Sequence, residues 1–191
     1  MSTPAQTLLD LASVGLTLVD LVVLGDSLVK ADRTSLEDLV RATADARGRG
    51  VKMARRAASY LRQGVDSAME SRLRMLIVIA GLPEPQVNVI LRRADGSWLV
   101  RLDLYYSTFL LLIEYDGRQH AESTDQWYRD IARREILDSM NIRLLIVTAD
   151  DFYNHPEQVL IKIRDALLER GAQGLRKSFR PEWRAHFAPK R

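Results

Sequence analysis

Three carboxylates and one histidine carry the chemistry that this sequence can offer. Asp103 lies in the Val/Leu/Tyr-rich stretch from Ser97 to Tyr105. Glu114 and Asp116 close the apolar run that begins near Thr108, and His120 follows four residues after Asp116. Carboxylates at the ends of buried strands are costly unless paired or metal-bound, and hard oxygen donors of this kind suit Mg²⁺ or Mn²⁺, which keep waters and substrate phosphate in the rest of their shell. A histidine beside such an ion can act as a general base, a phosphate donor or an extra ligand. Taken one at a time, each residue also has a structural reading: Asp103 can pair with Arg101 or Arg143, Asp116-Gly117 is a common turn signal, and His120 can be a plain loop residue.

Strand parity joins two of the acids. Side chains alternate along a strand, so Arg101, Asp103 and Tyr105 share one face of their strand, and Leu110, Leu112, Glu114 and Asp116 share one face of theirs. With Ser107 and Thr108 as the central residues of a tight turn, Asp103 faces Leu112 and Arg101 faces Glu114. The two carboxylates are then diagonal neighbours on one face, about 7–8 Å apart at Cα. A slip of one residue would separate them onto opposite faces.

The elements that must position these groups follow from periodicity. The first 65 residues read as helices, including Leu16 to Val29, a segment from a Thr34 cap through Ala46 with Glu37 at capping-box spacing, and a segment from the Gly48-Arg49-Gly50 break to Arg62. A helix opens at Ser67-Ala68 and ends at Gly81-Leu82-Pro83, with Glu70 three residues after Ser67. Strands are expected at Gln86–Leu91, Ser97–Tyr105 and Thr108–Tyr115, then a helix over Asp125–Met140, a buried strand over Ile142–Val147 and a helix over Pro156–Arg170. The class is α/β (α+β), in the order α-β-β-β-α-β-α. The expected organisation is a helical module over 1–65, a catalytic domain over 66–173 and a basic aromatic tail over 174–191.

Composition bounds the options. The chain has 191 residues, 28 Lys+Arg, 25 Asp+Glu and no cysteine, for a formal charge of +3. The missing thiols exclude disulfides, Cys-ligated zinc and a Cys nucleophile, and agree with a cytoplasmic setting. Asp10, Asp20 and Asp26 interrupt the apolar N-terminal region, so neither a signal peptide nor a membrane span is expected. Charge is unevenly spread: residues 66–150 carry −3, residues 174–191 carry +5, and the stretch from Arg47 to Arg62 holds six Arg/Lys and no acid. In that stretch Lys52, Arg55, Arg56 and Arg62 lie on a helix whose Val51, Ala54, Ala58 and Leu61 can turn inward, which leaves a basic side for phosphates. In the tail, Phe179, Trp183 and Phe187 recur at intervals of four among basic residues. They suit either base stacking or, more simply, docking of a short helix on the core or a second subunit.

The segments Glu70-Ser71-Arg72-Leu73-Arg74, Arg101-Leu102-Asp103-Leu104, Ile113-Glu114-Tyr115-Asp116-Gly117-Arg118-Gln119-His120, the Arg-rich stretch Trp127 to Arg134, and Ile142-Arg143-Leu144-Leu145 together resemble a bacterial domain of unknown function. That domain is related to the very-short-patch-repair endonucleases, of the restriction-endonuclease-like PD-(D/E)XK superfamily. The resemblance covers about Asp66 to Leu168 and rests on the E-x-D-G-x-x-H element behind a strand Asp. The helical N-terminal part looks like the region between a winged helix and the nuclease-like domain in longer relatives. The resemblance implies a restriction-endonuclease-like core that hydrolyses DNA phosphodiesters, with Asp103 and Glu114 as Mg²⁺ ligands (Mn²⁺ as substitute). It further implies Glu70 as a helix acid reaching the metal or its water, and Asp116 and His120 as active-site residues. Leu102 stands where the superfamily often has Pro, and Asp116 where its catalytic Lys stands, a replacement shared with the very-short-patch branch. Those repair enzymes hold a zinc partly by Cys, which is missing here. Arg129 and Arg133, four apart on one helix face, can meet the transition-state charge in place of the Lys, or form a solvated face with Asp125 and Asp130. The partner implied is DNA, with no membrane and with a homodimer open. The alternative is a nuclease fold kept for DNA binding or regulation, with little catalysis, in a defence or toxin–antitoxin-like system.

Overall fold

A computed structural model describes residues 2–117 and 124–187 of the chain, so His120 lies outside the described residues. The chain divides into two compact units, Met1–Met75 and Leu76–Arg191. Among the described residues, no helix is long and apolar enough to cross a membrane.

The first unit is helical, as its periodicity requires. It contains α1 (Pro4–Ser13), α2 (Leu18–Lys30), α3 (Leu36–Asp45), α4 (Val51–Tyr60) and the first two turns of α5 (Ala68–Ile79). Hydroxyl caps set the starts: Thr3 Oγ1 accepts the Gln6 N–H, Thr17 Oγ1 accepts the Asp20 N–H, and Ser35 Oγ accepts the Asp38 N–H at 3.0 Å. The α3 cap is therefore Ser35, one residue beyond the expected Thr34, and Glu37 is spent on an i,i+4 pair with Arg41 at 2.8 Å. Gly50 has φ +79°, and a Cβ there would lie 2.5 Å from the Ser13 nitrogen, so glycine lets the start of α4 meet the end of α1.

A buried polar knot explains why the unit boundary falls at 75/76, inside α5, and not at the expected 65/66. Asp26 of α2 receives the Arg62 N–H at 2.8 Å, the Ser71 hydroxyl at 2.7 Å and the Arg74 guanidinium at 3.0 Å. Asp26 and Arg74 are both buried, so neither can let go of its partner without leaving an uncompensated charge. The start of α5 is thereby tied to α2. Burial pushes the Asp26 carboxyl above the usual carboxylate range, and Arg74, the Arg62 amide and Ser71 oppose that push only in part.

The second unit is a four-stranded mixed sheet with helices, in the order β1 (Gln86–Arg92), β2 (Trp98–Tyr106), β3 (Leu111–Asp116), β4 (Arg143–Thr148). β1–β2 and β2–β3 pair antiparallel, while β3–β4 pair parallel through α6 (Thr124–Ser139), the crossover such a pairing needs. A short helix α7 (Ala149–Asn154), not expected from periodicity, is fixed by a capping box between Thr148 and Asp151. The long α8 (Pro156–Glu169) follows and buries Val159, Leu160, Ile163 and Leu167. The tail docks within this unit: Trp183 and Phe187 of α9 (Trp183–Phe187) are buried, Phe187 meets Phe152 edge-on at 5.8 Å, and the Arg164 guanidinium lies over Phe179 at 5.3 Å. The docking reading of the tail aromatics thus describes the fold, since stacking rings for bases would have to be exposed.

One turn differs in a way that matters. The β2–β3 connection is not a two-residue turn at Ser107-Thr108 but a 3₁₀ turn over Ser107–Phe109 followed by Leu110 with φ +48°. The longer link moves the register by two residues, so Leu104 pairs with Ile113 and Tyr105 with Leu112. A shift of two preserves parity. The paired ladder ends at Leu104 and Ile113, and the same register continued by one residue would set Asp103 opposite Glu114 instead of diagonal to it.

Candidate active site

The open cleft of the second unit is built on these two strands. Asp103 and Arg101 project from alternate positions of β2, and Glu114 and Asp116 from alternate positions of β3, all onto one sheet face. Parallel pairing of Glu114 with Ile146 and of Leu112 with Leu144 supplies an apolar floor from β4. Helix α6 forms the wall with Trp127, Asp130, Ile131 and Arg134, the i, i+3, i+4, i+7 spacing of one helix face, and Arg133 beside them. The enclosed volume is ≈ 670 Å³. Asp103, Glu114 and Asp116 are half-buried there, where carboxylate charge is screened less than at the surface.

Arginines balance part of that charge. The Arg133 guanidinium donates to Glu114 Oε1, and its Nη2 also donates to the Arg101 carbonyl at 2.9 Å. The Glu114 side chain is 19% exposed and that of Arg133 28%, so this pair is more sheltered than an ordinary surface ion pair. Among the described residues, four carboxylates (Asp103, Glu114, Asp116, Asp130) face three arginines (Arg101, Arg133, Arg134) around the cleft, leaving an excess of negative charge. Tyr115 at its edge is T-shaped against Phe152 at 6.1 Å. Burial raises its phenol above the ordinary value, and the neighbouring Tyr153 and Asp116 add to the rise.

Asp103 and Glu114 offer hard oxygen donors, the kind that Mg²⁺ or Mn²⁺ takes. The Arg133 guanidinium already marks Glu114 as a cation-accepting group. Among the described residues, no group of three or more His, Cys, Asp or Glu is gathered that could hold a metal ion, so any ion here would rest on the Asp103 and Glu114 carboxylates and on water.

The remaining expected residues are distributed differently. Glu70 is buried at the start of α5, where its carboxylate accepts the Asp66 N–H at 3.0 Å while its own N–H donates to Ser67 Oγ at 3.0 Å. It belongs to the first unit, and these two hydrogen bonds are local ones at the start of α5, where its spacing from Ser67 suggests a cap. On α4, Val51, Ala54 and Ala58 are buried and Lys52, Arg55 and Arg56 are exposed, as periodicity predicts. Arg55, however, donates to the carbonyls of Thr43, Ala44 and Ala46, which closes the end of α3 and commits its guanidinium. Arg129 is exposed on α6, but only Arg133 of that pair lines the cleft. Trp98, Trp127 and Arg134 were not singled out in sequence for this cleft, although the 127/130/131/134 spacing carried a signal for the α6 members.

The chain is similar to two uncharacterized proteins of Mycobacterium tuberculosis, from strains CDC 1551 and H37Rv, each 24% identical over 139 residues, which is 72% of this chain and 51% of the relative. The chain therefore spans about half the length of the curated relatives it matches. No family model matches it. No solved structure matches it either.

Proposed function

We propose that the second unit is a metal-dependent phosphodiesterase domain of restriction-endonuclease-like design, acting on DNA in the cytoplasm. The observation that carries this reading is that Asp103 and Glu114, on adjacent strands whose register keeps their parity, line one cleft together. Asp103 and Glu114 would hold Mg²⁺, with Asp116 next on the same face. The bound ion would supply a water of lowered pKa and polarise a phosphoryl oxygen. Arg101, Arg133 and Arg134 would meet the phosphate and the charge that grows on it during in-line displacement. The apolar floor of Leu144 and Ile146 would limit competing water. The resemblance to very-short-patch-repair endonucleases supports the same assignment.

Incubation with supercoiled plasmid and with single-stranded DNA, in Mg²⁺, Mn²⁺ or EDTA, tests it. Metal-dependent nicking that falls by about 10²-fold or more in Asp103→Asn and in Glu114→Gln is the expected result. Cleavage that persists in the double variant would remove these two residues from the mechanism. DNA binding without cleavage under any metal would favour a binding or regulatory protein.

A further inference from the structure

A second depression of ≈ 480 Å³ adjoins the cleft and shares Arg134, Leu144 and Ile146 with it. Its charge is opposite. Among the described residues, Arg134, Arg143 and Arg170 face Asp138 alone, so a site that attracts cations opens into one that attracts anions. The Arg143 guanidinium is held by Glu169, but the two side chains are 40% and 63% exposed, and an ion pair that open to solvent is exchanged at little cost. Arg170 rests one donor on the Asn141 carbonyl at 2.9 Å, and a guanidinium has further donors to offer. At the other end, Trp98 and Trp127 line the cleft with 55% and 54% of their surfaces exposed. Two large aromatic faces left in water beside phosphate-compatible arginines are what unstacked bases require. From Arg143 to Ile146, β4 advances about 10 Å at ~3.3 Å per residue, more than one phosphate step along a nucleic-acid strand.

We infer that the two depressions form one track for a single-stranded or locally unpaired nucleic-acid segment, with bases stacked on Trp98 and Trp127 and successive phosphates met by Arg134, Arg143 and Arg170. This rests on reading the cleft as the place where a nucleic-acid phosphate sits. The Arg143–Glu169 pair opens to admit the strand, so Glu169 limits its affinity.

Binding of fluorescein-labelled single-stranded and duplex oligonucleotides, followed by anisotropy in EDTA across a salt series, tests the track apart from cleavage. The wild-type protein is expected to prefer the single strand. Arg143→Ala/Arg170→Ala should weaken that binding at least tenfold and flatten the salt dependence by about 0.7 per lost contact. Trp98→Ala/Trp127→Ala should reduce the preference for single strand over duplex by about tenfold. Glu169→Gln, which keeps shape and removes the competing carboxylate, should tighten binding two- to fivefold. Unchanged affinity in the arginine and Glu169 variants would overturn the track, as would equal affinity for duplex and single strand. Binding with these dependences but no cleavage in Mg²⁺ or Mn²⁺ would leave the track standing and sink the nuclease reading alone.

Discussion

Glu114, at the open end of β3, accepts the guanidinium of Arg133 from α6, so this carboxylate already carries a cation supplied by the protein. A divalent ion at Asp103 and Glu114 must share or displace that guanidinium. On the proposed reading Arg133 would compete with the metal and, once displaced, would be a donor to phosphate.

Arg133→Ala should accordingly raise the affinity for Mn²⁺ by about fivefold, the equivalent of ~1 kcal/mol, while slowing phosphodiester cleavage. Titration calorimetry with Mn²⁺ in the absence of nucleic acid reads the first effect without the second. Weaker Mn²⁺ binding in this variant would mean that Arg133 orders Glu114 for the ion and does not compete with it.

The buried Asp26–Arg74 pair predicts both a large mutational cost and a pH dependence. Asp26→Ala strips the Arg62 amide, the Ser71 hydroxyl and the Arg74 guanidinium of their shared buried acceptor and should cost ~3–5 kcal/mol in urea unfolding, whereas Asp26→Ala/Arg74→Met should recover a good part of that loss. Because burial holds the Asp26 carboxyl above its ordinary value, the folded protein binds this proton more tightly than the unfolded chain does. The stability contributed by that proton is full below about pH 4 and is lost as pH rises through the raised folded value. Wild-type stability minus that of the double variant should thus decline with rising pH above about pH 4; a difference that climbs would mean that Arg74 outweighs burial.

Glu70 separates two readings of the same residue. As a cap, it needs only an oxygen to accept the Asp66 N–H, so Glu70→Gln should keep both cleavage and stability, while Glu70→Ala should lose ~1 kcal/mol of stability. As a group acting on a metal-bound water, it needs its charge, and Glu70→Gln would fail as Asp103→Asn does. Parallel measurement of nicking rate and urea midpoint in the two variants distinguishes them.

Much of this architecture is legible in the residues because it rests on local periodicity. The 3.6-residue pattern marks the helices of the first unit and α8. The two-residue alternation of β2 and β3 is enough to place Asp103 and Glu114 on one face, and any even change in register leaves them there. What local pattern could not supply is the size of that change: the 3₁₀ turn and left-handed Leu110 lengthen the link, and only the paired strands show that Leu104 meets Ile113, a shift of two from the two-residue turn. Contacts distant in sequence were equally hidden. Arg133 reaches Glu114 across 19 positions, and Arg74 reaches Asp26 across 48. Arg55 looks like a phosphate ligand on α4 until the exposed carbonyls at the end of α3 are seen to occupy it. Side-chain types and their periods determine which groups share a face, whereas tertiary structure decides which charge each of them meets, because a guanidinium or carboxylate pairs with whatever the fold brings within a few ångströms.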